Sequence, residues 1–139
     1  MDETEIAKLV IGIVGAGFVA WYWNAVNHKL AQYRYLDETY KEILKAYVDH
    51  PDFGQPELAR TYREAFKGKD FWKYHYFSMQ VHTFLETIFD LSNGKIPDVW
   101  DYVYRHHGDL HSAWLRDHRD LHEAGYVEQI LETRQVAKG

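Results

Sequence analysis

A chain of 139 residues without a single cysteine has room for one domain of ordinary size, and it can form no disulfide, thiolate metal site or cysteine nucleophile. Its formal net charge of -5 and its lack of a Lys/Arg cluster argue against nucleic-acid binding. Aromatic residues are abundant, with 11 Tyr, 7 Phe and 5 Trp, and the nine histidines are the unusual feature of the composition.

The N-terminal region contains a long apolar stretch. No residue of 9–19 carries a polar side chain, and the segment 6–27, at 1.5 Å per residue, matches a hydrocarbon layer roughly 30 Å thick. Lys8 suits the membrane–water interface at one end, because a long cationic side chain can reach the headgroups. Three aromatic residues form an interfacial belt at the other end: Trp21, Tyr22 and Trp23. The sequence therefore predicts a single transmembrane helix over 6–27, after a short acidic segment at 1–5.

The flanks of this helix indicate an uncleaved anchor and an orientation. Residues 2–5 are acidic where a signal peptide needs positive charge, and no small-x-small cleavage site follows the apolar run. Lys8 is the one cation upstream, whereas several lie downstream: Lys29, Arg34, Lys41 and Lys45. The positive-inside rule then predicts that, in the cell membrane, the N-terminus lies outside and a domain at 28–136 is cytoplasmic, with a tail at 137–139.

The same residues support a second hypothesis, a dinucleotide-binding loop. The hexapeptide 15–20, Gly-Ala-Gly-Phe-Val-Ala, fits the G-x-G-x-x-G/A fingerprint, and Asp37 follows about 20 residues later, where an acid meets a ribose hydroxyl. This interpretation requires a strand over 9–14 and further βα units. Residues 31–37 form a poor candidate for the next strand, because buried parallel strands are nearly continuous in Val, Ile and Leu. We favour the membrane helix.

Small residues recur every four positions within the predicted membrane helix: Gly12, Ala16 and Ala20. They share one face, and small residues at this spacing let two helices approach closely. Glycine and alanine are also simply common in such helices. Besides the lipid bilayer, we expect a second copy of the chain or another membrane subunit as partner.

The remaining sequence predicts an all-α bundle with short connections. Helical periodicity continues from the anchor to His50-Pro51, since the residue before proline is displaced from the α region. Pro56 suits the first position of a short helix. Asp70 and Gly94 are candidates for the N-cap and the C′ terminator of a helix over 71–93, which we expect to be the most buried element.

The last part of the chain predicts one helix from Asp98 that Gly108 kinks and Gly125 ends, followed by a short final helix. Its histidines fall within a sector of about 60° if the helix is unbroken. They are spaced four, seven and four apart: His107, His111, His118 and His122.

These histidines suggest a metal site. A neighbouring helix carries a His-x3-Glu pair, and such a pair facing His-x3-His supplies the ligands of di-iron and di-manganese sites in helical bundles. The candidate ligands are His82, Glu86, His107 and His111, and the candidate metals are Fe, Mn or Zn. The pattern resembles hemerythrin, whose bundle also pairs His-x3-Glu with His-x3-His. The resemblance covers these four residues alone, because the further ligands of hemerythrin from its first and last helices have no counterpart here, so its function is not transferred.

Packing is a second explanation of the histidines, and pH sensing is a third. Aromatic residues on the same side indicate a packing seam: Trp100, Tyr104 and Trp114. Imidazoles in such a seam hydrogen-bond to neighbouring polar groups, and histidine ordinarily titrates near pH 6.5. The sequence contains no serine nucleophile elbow and no P-loop, which disfavours an enzyme. We expect a single-pass accessory subunit, adaptor or oligomeric scaffold, with a metal-binding bundle enzyme or sensor as the alternative.

Overall fold

The computed structural model describes the backbone of residues 2–138 and the side chains of residues 2–132. Every regular element in the described backbone is helical, which confirms the all-α prediction. Short 3₁₀ turns lie at Pro51–Gly54 and Arg119–Leu121. The α-helices are α1 (Glu3–Asp49), α2 (Pro56–Arg60), α3 (Tyr62–Ala65), α4 (Lys69–Leu91), α5 (Asp98–Leu110), α6 (Ser112–Asp117) and α7 (Ala124–Lys138).

The chain divides into two compact units, and the boundary falls within α1, between Glu38 and Thr39. The first unit is helical from Glu3 onward. The Asp2 carboxylate begins this helix by accepting a hydrogen bond of 2.8 Å from the backbone N–H of Glu5, as an N-cap does. Glutamates in the first turn favour the same end, because they face the positive pole of the helix dipole.

Residues 9–20 lie inside α1, so the dinucleotide-binding interpretation is wrong. That fingerprint requires a strand, a tight turn and then a helix, whereas 9–14 and the hexapeptide 15–20 are both helical. The helix is instead long and apolar enough to span a membrane, and none of its most apolar 18-residue window is buried.

Proline places the next boundaries as expected. α1 ends at Asp49, and His50, which precedes Pro51, has the non-helical angles φ -133° and ψ 75°. Pro56 occupies the first position of α2, where its missing N–H leaves no partner unsatisfied. A short break at Thr61 separates α2 from α3.

α4 is the central helix, as predicted, but its ends differ from the expectation. Asp70 is not the N-cap: the helix begins at Lys69, after Gly68 at φ +57°. At the other end the C′ residue is Asn93, at φ +52°, and Gly94 follows it. The Gly94 N–H donates to the Phe89 carbonyl over 2.9 Å and the Asn93 N–H to Asp90 over 3.3 Å, which is a Schellman motif.

The predicted helix from Asp98 onward is wrong in its length, because the chain leaves the helical conformation at His111 and again at His118. Gly108 lies inside α5 and does not interrupt it. A β-carbon at Gly108 would lie 2.6 Å from Cδ1 of Ile130, so glycine here allows α5 and α7 to approach closely. Gly125 lies inside α7 and does not end a helix.

The core of the second unit is built around α4. Its buried side chains lie against α3, α5 and α6, and α7 packs against α5 and α6. The buried positions of α4 include Tyr74, Phe77, Ser78, Val81, His82, Phe84, Leu85 and Ile88. Three of these, Tyr74, Ser78 and His82, carry polar groups that need hydrogen-bond partners in an apolar surrounding.

Candidate functional site

Five side chains of the second unit form a connected series of hydrogen bonds, which we call the tyrosine–histidine chain. In order along the chain they are Tyr40, His107, Tyr47, His111 and Tyr74. The tyrosines come from α1 and α4, and the histidines come from the end of α5 and the break that follows it. The series therefore joins the last part of α1 to the middle of the bundle.

Tyr47 is the centre of this chain. Its hydroxyl lies 2.9 Å from Nδ1 of His107 and 2.7 Å from Nε2 of His111. The Tyr74 hydroxyl lies 2.8 Å from Nδ1 of His111, and that of Tyr40 lies 3.4 Å from Nε2 of His107. Both nitrogens of each imidazole thus face a phenol.

The hydrogen bonds of the tyrosine–histidine chain can run in only two donor-to-acceptor directions. A phenol has one proton and a neutral imidazole has one N–H, so Tyr47 donates to one histidine and accepts from the other. If Tyr47 donates to His107, His111 donates to Tyr47 and accepts from Tyr74, while His107 donates to Tyr40. This direction places the last proton on the hydroxyl of half-buried Tyr40, where water can accept it. The opposite direction places a proton at Tyr74, which is fully buried.

Burial keeps every member of the chain neutral. Desolvation lowers the pKa of His107 to about 4 and lowers that of His111 well below its ordinary value. The same effect raises the pKa of the Tyr47 and Tyr74 phenols far above 10.0. Buried Ser78 lies near enough to Tyr74 to lower its pKa in part, although Ser78 Oγ has no hydrogen-bond partner of good geometry in the described structure.

His82 has a separate pair of partners. Its Nε2 lies 2.9 Å from the carbonyl oxygen of His111 and its Nδ1 lies 2.7 Å from the Tyr126 hydroxyl. Because a carbonyl only accepts, Nε2 carries the proton and Nδ1 accepts from Tyr126. Complete burial lowers the pKa of His82 to about 3, so it too is neutral.

Glu86, which the sequence pattern pairs with His82, hydrogen-bonds to His122. Its Oε2 accepts hydrogen bonds from the backbone N–H of Glu123 over 2.8 Å and from Nδ1 of His122 over 3.2 Å. The His122 side chain is 2% exposed, and its Nε2 has no hydrogen-bond partner within residues 2–132. Glu86 thus holds the turn before α7.

Two further histidines, His75 and His118, lie against Trp114, which is fully buried. Its indole N–H donates to Nδ1 of His75 over 3.1 Å. His118 stacks on the indole with ring centroids 4.3 Å apart, and its Nδ1 donates to the Trp114 carbonyl over 2.7 Å. These imidazoles fill the packing seam that the aromatic pattern predicted.

The structure does not gather the four predicted metal ligands at one point. His82 faces Tyr126 and a carbonyl, Glu86 faces His122, and His107 and His111 face tyrosines. Among the described residues, no group of three or more His, Asp or Glu is placed to hold a metal ion. The broken helix explains this outcome, because the spacing argument assumed one unbroken face.

The predicted membrane residues all lie exposed on the first unit. This holds for the helix-contact residues Gly12, Ala16 and Ala20 and for the interface residues Lys8, Trp21, Tyr22 and Trp23. A β-carbon added at Gly12 meets no atom within 4 Å, so this glycine serves no contact within the described chain.

No family model, curated protein or solved structure matches this chain. Two features of this molecule bear on its function: the exposed apolar helix and the bundle whose buried histidines are neutral and hydrogen-bonded within the protein.

Proposed function

We propose that residues 6–27 anchor this protein in a membrane, and that it acts as an accessory subunit, adaptor or oligomeric scaffold through helix–helix contacts. The observation that carries the proposal is the exposure of the apolar side chains of this helix. Ile11 is 70% exposed, Val14 65% and Phe18 63%. Soluble monomers rarely expose apolar patches larger than a few hundred Å².

Lipid removes the cost of this exposure. Removal of apolar surface from water is favourable by roughly 25 cal/mol per Å². A helix also satisfies its backbone hydrogen bonds internally, as the hydrocarbon layer requires. Lys8 and the aromatic residues at 21–23 would then lie near the two headgroup regions. Cations are more numerous after the span, which supports an N-terminus outside and a cytoplasmic second unit.

The small residues provide the surface for helix contact. Gly12, Ala16 and Ala20 recur on one face, and in lipid such a face allows close packing with a second transmembrane helix. The open space at Gly12 is consistent with a partner outside this chain. A second copy of the chain and a different membrane subunit both fit this face.

The buried histidines support a structural role for the second unit. Each nitrogen of His82, His107 and His111 already has a protein partner. Neutral, hydrogen-bonded imidazoles of this kind define one packing arrangement. We therefore place the protein's contacts with partners on its surfaces and not in its interior.

Extraction of isolated membranes at alkaline pH tests the anchor. The full-length chain should stay with the lipid pellet, as integral proteins do. A Val10→Asp/Val14→Asp variant should move to the supernatant, because a charged residue at the centre of a span costs about 2.5–3.5 kcal/mol on insertion. Glu57→Asp serves as a control on the exposed surface of α2. Recovery of the unchanged chain in the supernatant would refute the proposal.

A further inference from the structure

An arginine-rich cleft lies between α2–α3 and α6, entirely within the second unit. Its volume is about 250 Å³. Three arginines line it: Arg60, Arg63 and Arg116. Two carboxylates, Glu64 and Asp117, also face it, so the cleft carries a surplus of positive charge in a protein whose net charge is -5.

One side of this cleft is held firmly. The Tyr62 hydroxyl donates to Oδ2 of Asp117 over 2.6 Å, and Nε of Arg63 donates to the same oxygen over 3.2 Å. Tyr62 is buried at the base, and its hydrogen bond keeps the pKa of Asp117 below its ordinary value. Asp117 therefore stays charged and orients Arg63, whose terminal nitrogens remain available to a ligand.

Within residues 2–132, neither of the other two guanidinium groups has an ion-pair partner. The side chains of Arg60 and Arg116 make no hydrogen bond or ion pair with any residue in the described part of the chain. Like charges that line one cleft repel one another unless an anion neutralises them. Three arginines lining one cleft of this size are typical of a site that recognises an anion.

We propose that this cleft binds a phosphomonoester group. A guanidinium presents paired N–H donors that match two phosphate oxygens, and a phosphomonoester carries close to two negative charges at neutral pH. Arg60 and Arg116 supply cationic donors that have no ion-pair partner among the described side chains, and Arg63, oriented by Asp117, supplies a third set of donors. The group arrives on a small soluble molecule or as the headgroup of an anionic lipid, and the chemistry of recognition is the same for both.

Two experiments on the full-length protein distinguish these sources. In a non-ionic detergent, calorimetric titration with inorganic phosphate and with glycerol phosphate measures binding of the soluble form. In phosphatidylcholine nanodiscs, hydrogen exchange over 56–66 and 112–117 measures protection by added phosphatidic acid, with phosphatidylserine as an anionic control that lacks a phosphomonoester. The titration in detergent does not require residues 6–27 to lie in a membrane. It therefore tests the cleft even if the proposed anchor is refuted.

The Arg60→Ala/Arg116→Ala variant should lower affinity by about tenfold or more in whichever arm shows binding. Arg60→Lys/Arg116→Lys should recover only part of it, because lysine lacks the paired donors. Arg105→Ala is the matched control, since Arg105 is an exposed arginine of α5 paired with Asp101, and it should change affinity by less than about twofold. Saturable binding with this pattern in either arm supports the proposal. Its absence from both arms, or equal losses in the double variant and the control, overturns it.

Discussion

The Tyr47 hydroxyl lies 2.7 Å from Nε2 of His111, the residue at which the chain leaves α5. The same hydroxyl contacts His107 one turn earlier, at 2.9 Å. A single phenol from the end of α1 thus fixes the position of two buried imidazoles. The packing of this bundle depends on tyrosine partners that come from distant parts of the sequence.

Removal of the Tyr47 hydroxyl should therefore destabilise the protein more than removal of an exposed one. We expect Tyr47→Phe to lower the free energy of unfolding by about 1–3 kcal/mol, because two buried imidazole nitrogens lose their partner. Tyr102→Phe is the control, since Tyr102 is 73% exposed and should change stability by less than about 0.5 kcal/mol. Urea unfolding of the full chain in a non-ionic detergent, followed by near-UV circular dichroism, measures both. Equal effects of the two substitutions would show that the tyrosine–histidine chain contributes little to the free energy of unfolding.

Acid should destabilise the protein at a higher pH than carboxylate protonation alone explains. Burial lowers the pKa of His82 to about 3 and of His107 to about 4, and lowers that of His111, whereas unfolded histidine titrates near 6.5. The unfolded state therefore binds more protons below pH 6.5, and stability falls as pH decreases from about 6.5 to about 4. Each histidine contributes at most about 1.4 kcal/mol per pH unit.

Urea midpoints measured in steps from pH 7.5 to pH 4.5 test this expectation, since about three histidines act together over that window. The contribution of Asp117 is separate, because its pKa is lowered and its stabilising effect is lost only below about 3.8. Midpoints that stay constant down to pH 4.5 would contradict the neutral, buried state of these imidazoles.

The contact between α5 and α7 predicts that the effect of Gly108→Ala on stability changes sign when Ile130 is replaced by valine. Gly108→Ala places a β-carbon 2.6 Å from Cδ1 of Ile130, and overpacking of this kind costs about 1–3 kcal/mol. Replacement of glycine by alanine inside a helix also stabilises by up to about 1 kcal/mol. In wild type we expect a net loss, and in an Ile130→Val background, which lacks Cδ1, a neutral or stabilising effect. Thermal unfolding of the four proteins gives the coupling. Additive effects would mean that the helices can separate without cost.

Substitution of the small residues should weaken assembly in the membrane. Gly12→Leu/Ala16→Leu adds bulk on the face proposed for helix contact and leaves hydrophobicity sufficient for insertion. Val14→Leu/Phe18→Leu, on the opposite face, is the matched control. A bacterial membrane two-hybrid assay should show loss of association for the first pair alone. If both pairs associate as wild type does, this face carries no contact.

Helix positions were predictable where local rules decide them. His50-Pro51 and Pro56 set boundaries through the sterics of proline itself, and the apolar faces of α4 identified the central helix. The break at His111 was not predictable, because it depends on hydrogen bonds from Tyr47, Tyr74 and His82. These partners act through tertiary contacts and leave no signal in the helical periodicity.

In the candidate site, too, local patterns were predictable from the sequence and tertiary contacts were not. Histidine spacing identified the residues but not their partners, since Tyr47 and His107 are 60 positions apart. The one available signal was the spacing of seven between Tyr40 and Tyr47, which places both phenols on one face of α1. The contact at Gly108 was missed for a related reason: its lack of a side chain matters to Ile130 on another helix.

The central claim is that residues 6–27 lie in lipid, and cysteine accessibility tests it most directly. The chain has no cysteine of its own, so single-cysteine variants have no background. Val14 and Glu57 are both exposed on the protein surface, and in water Val14→Cys and Glu57→Cys should react equally fast with a charged maleimide. In membrane fragments, where the reagent reaches both faces of the bilayer, we predict prompt labelling of Glu57→Cys. Val14→Cys should be labelled only after detergent solubilises the bilayer. Equal labelling of both in intact bilayer would contradict the account.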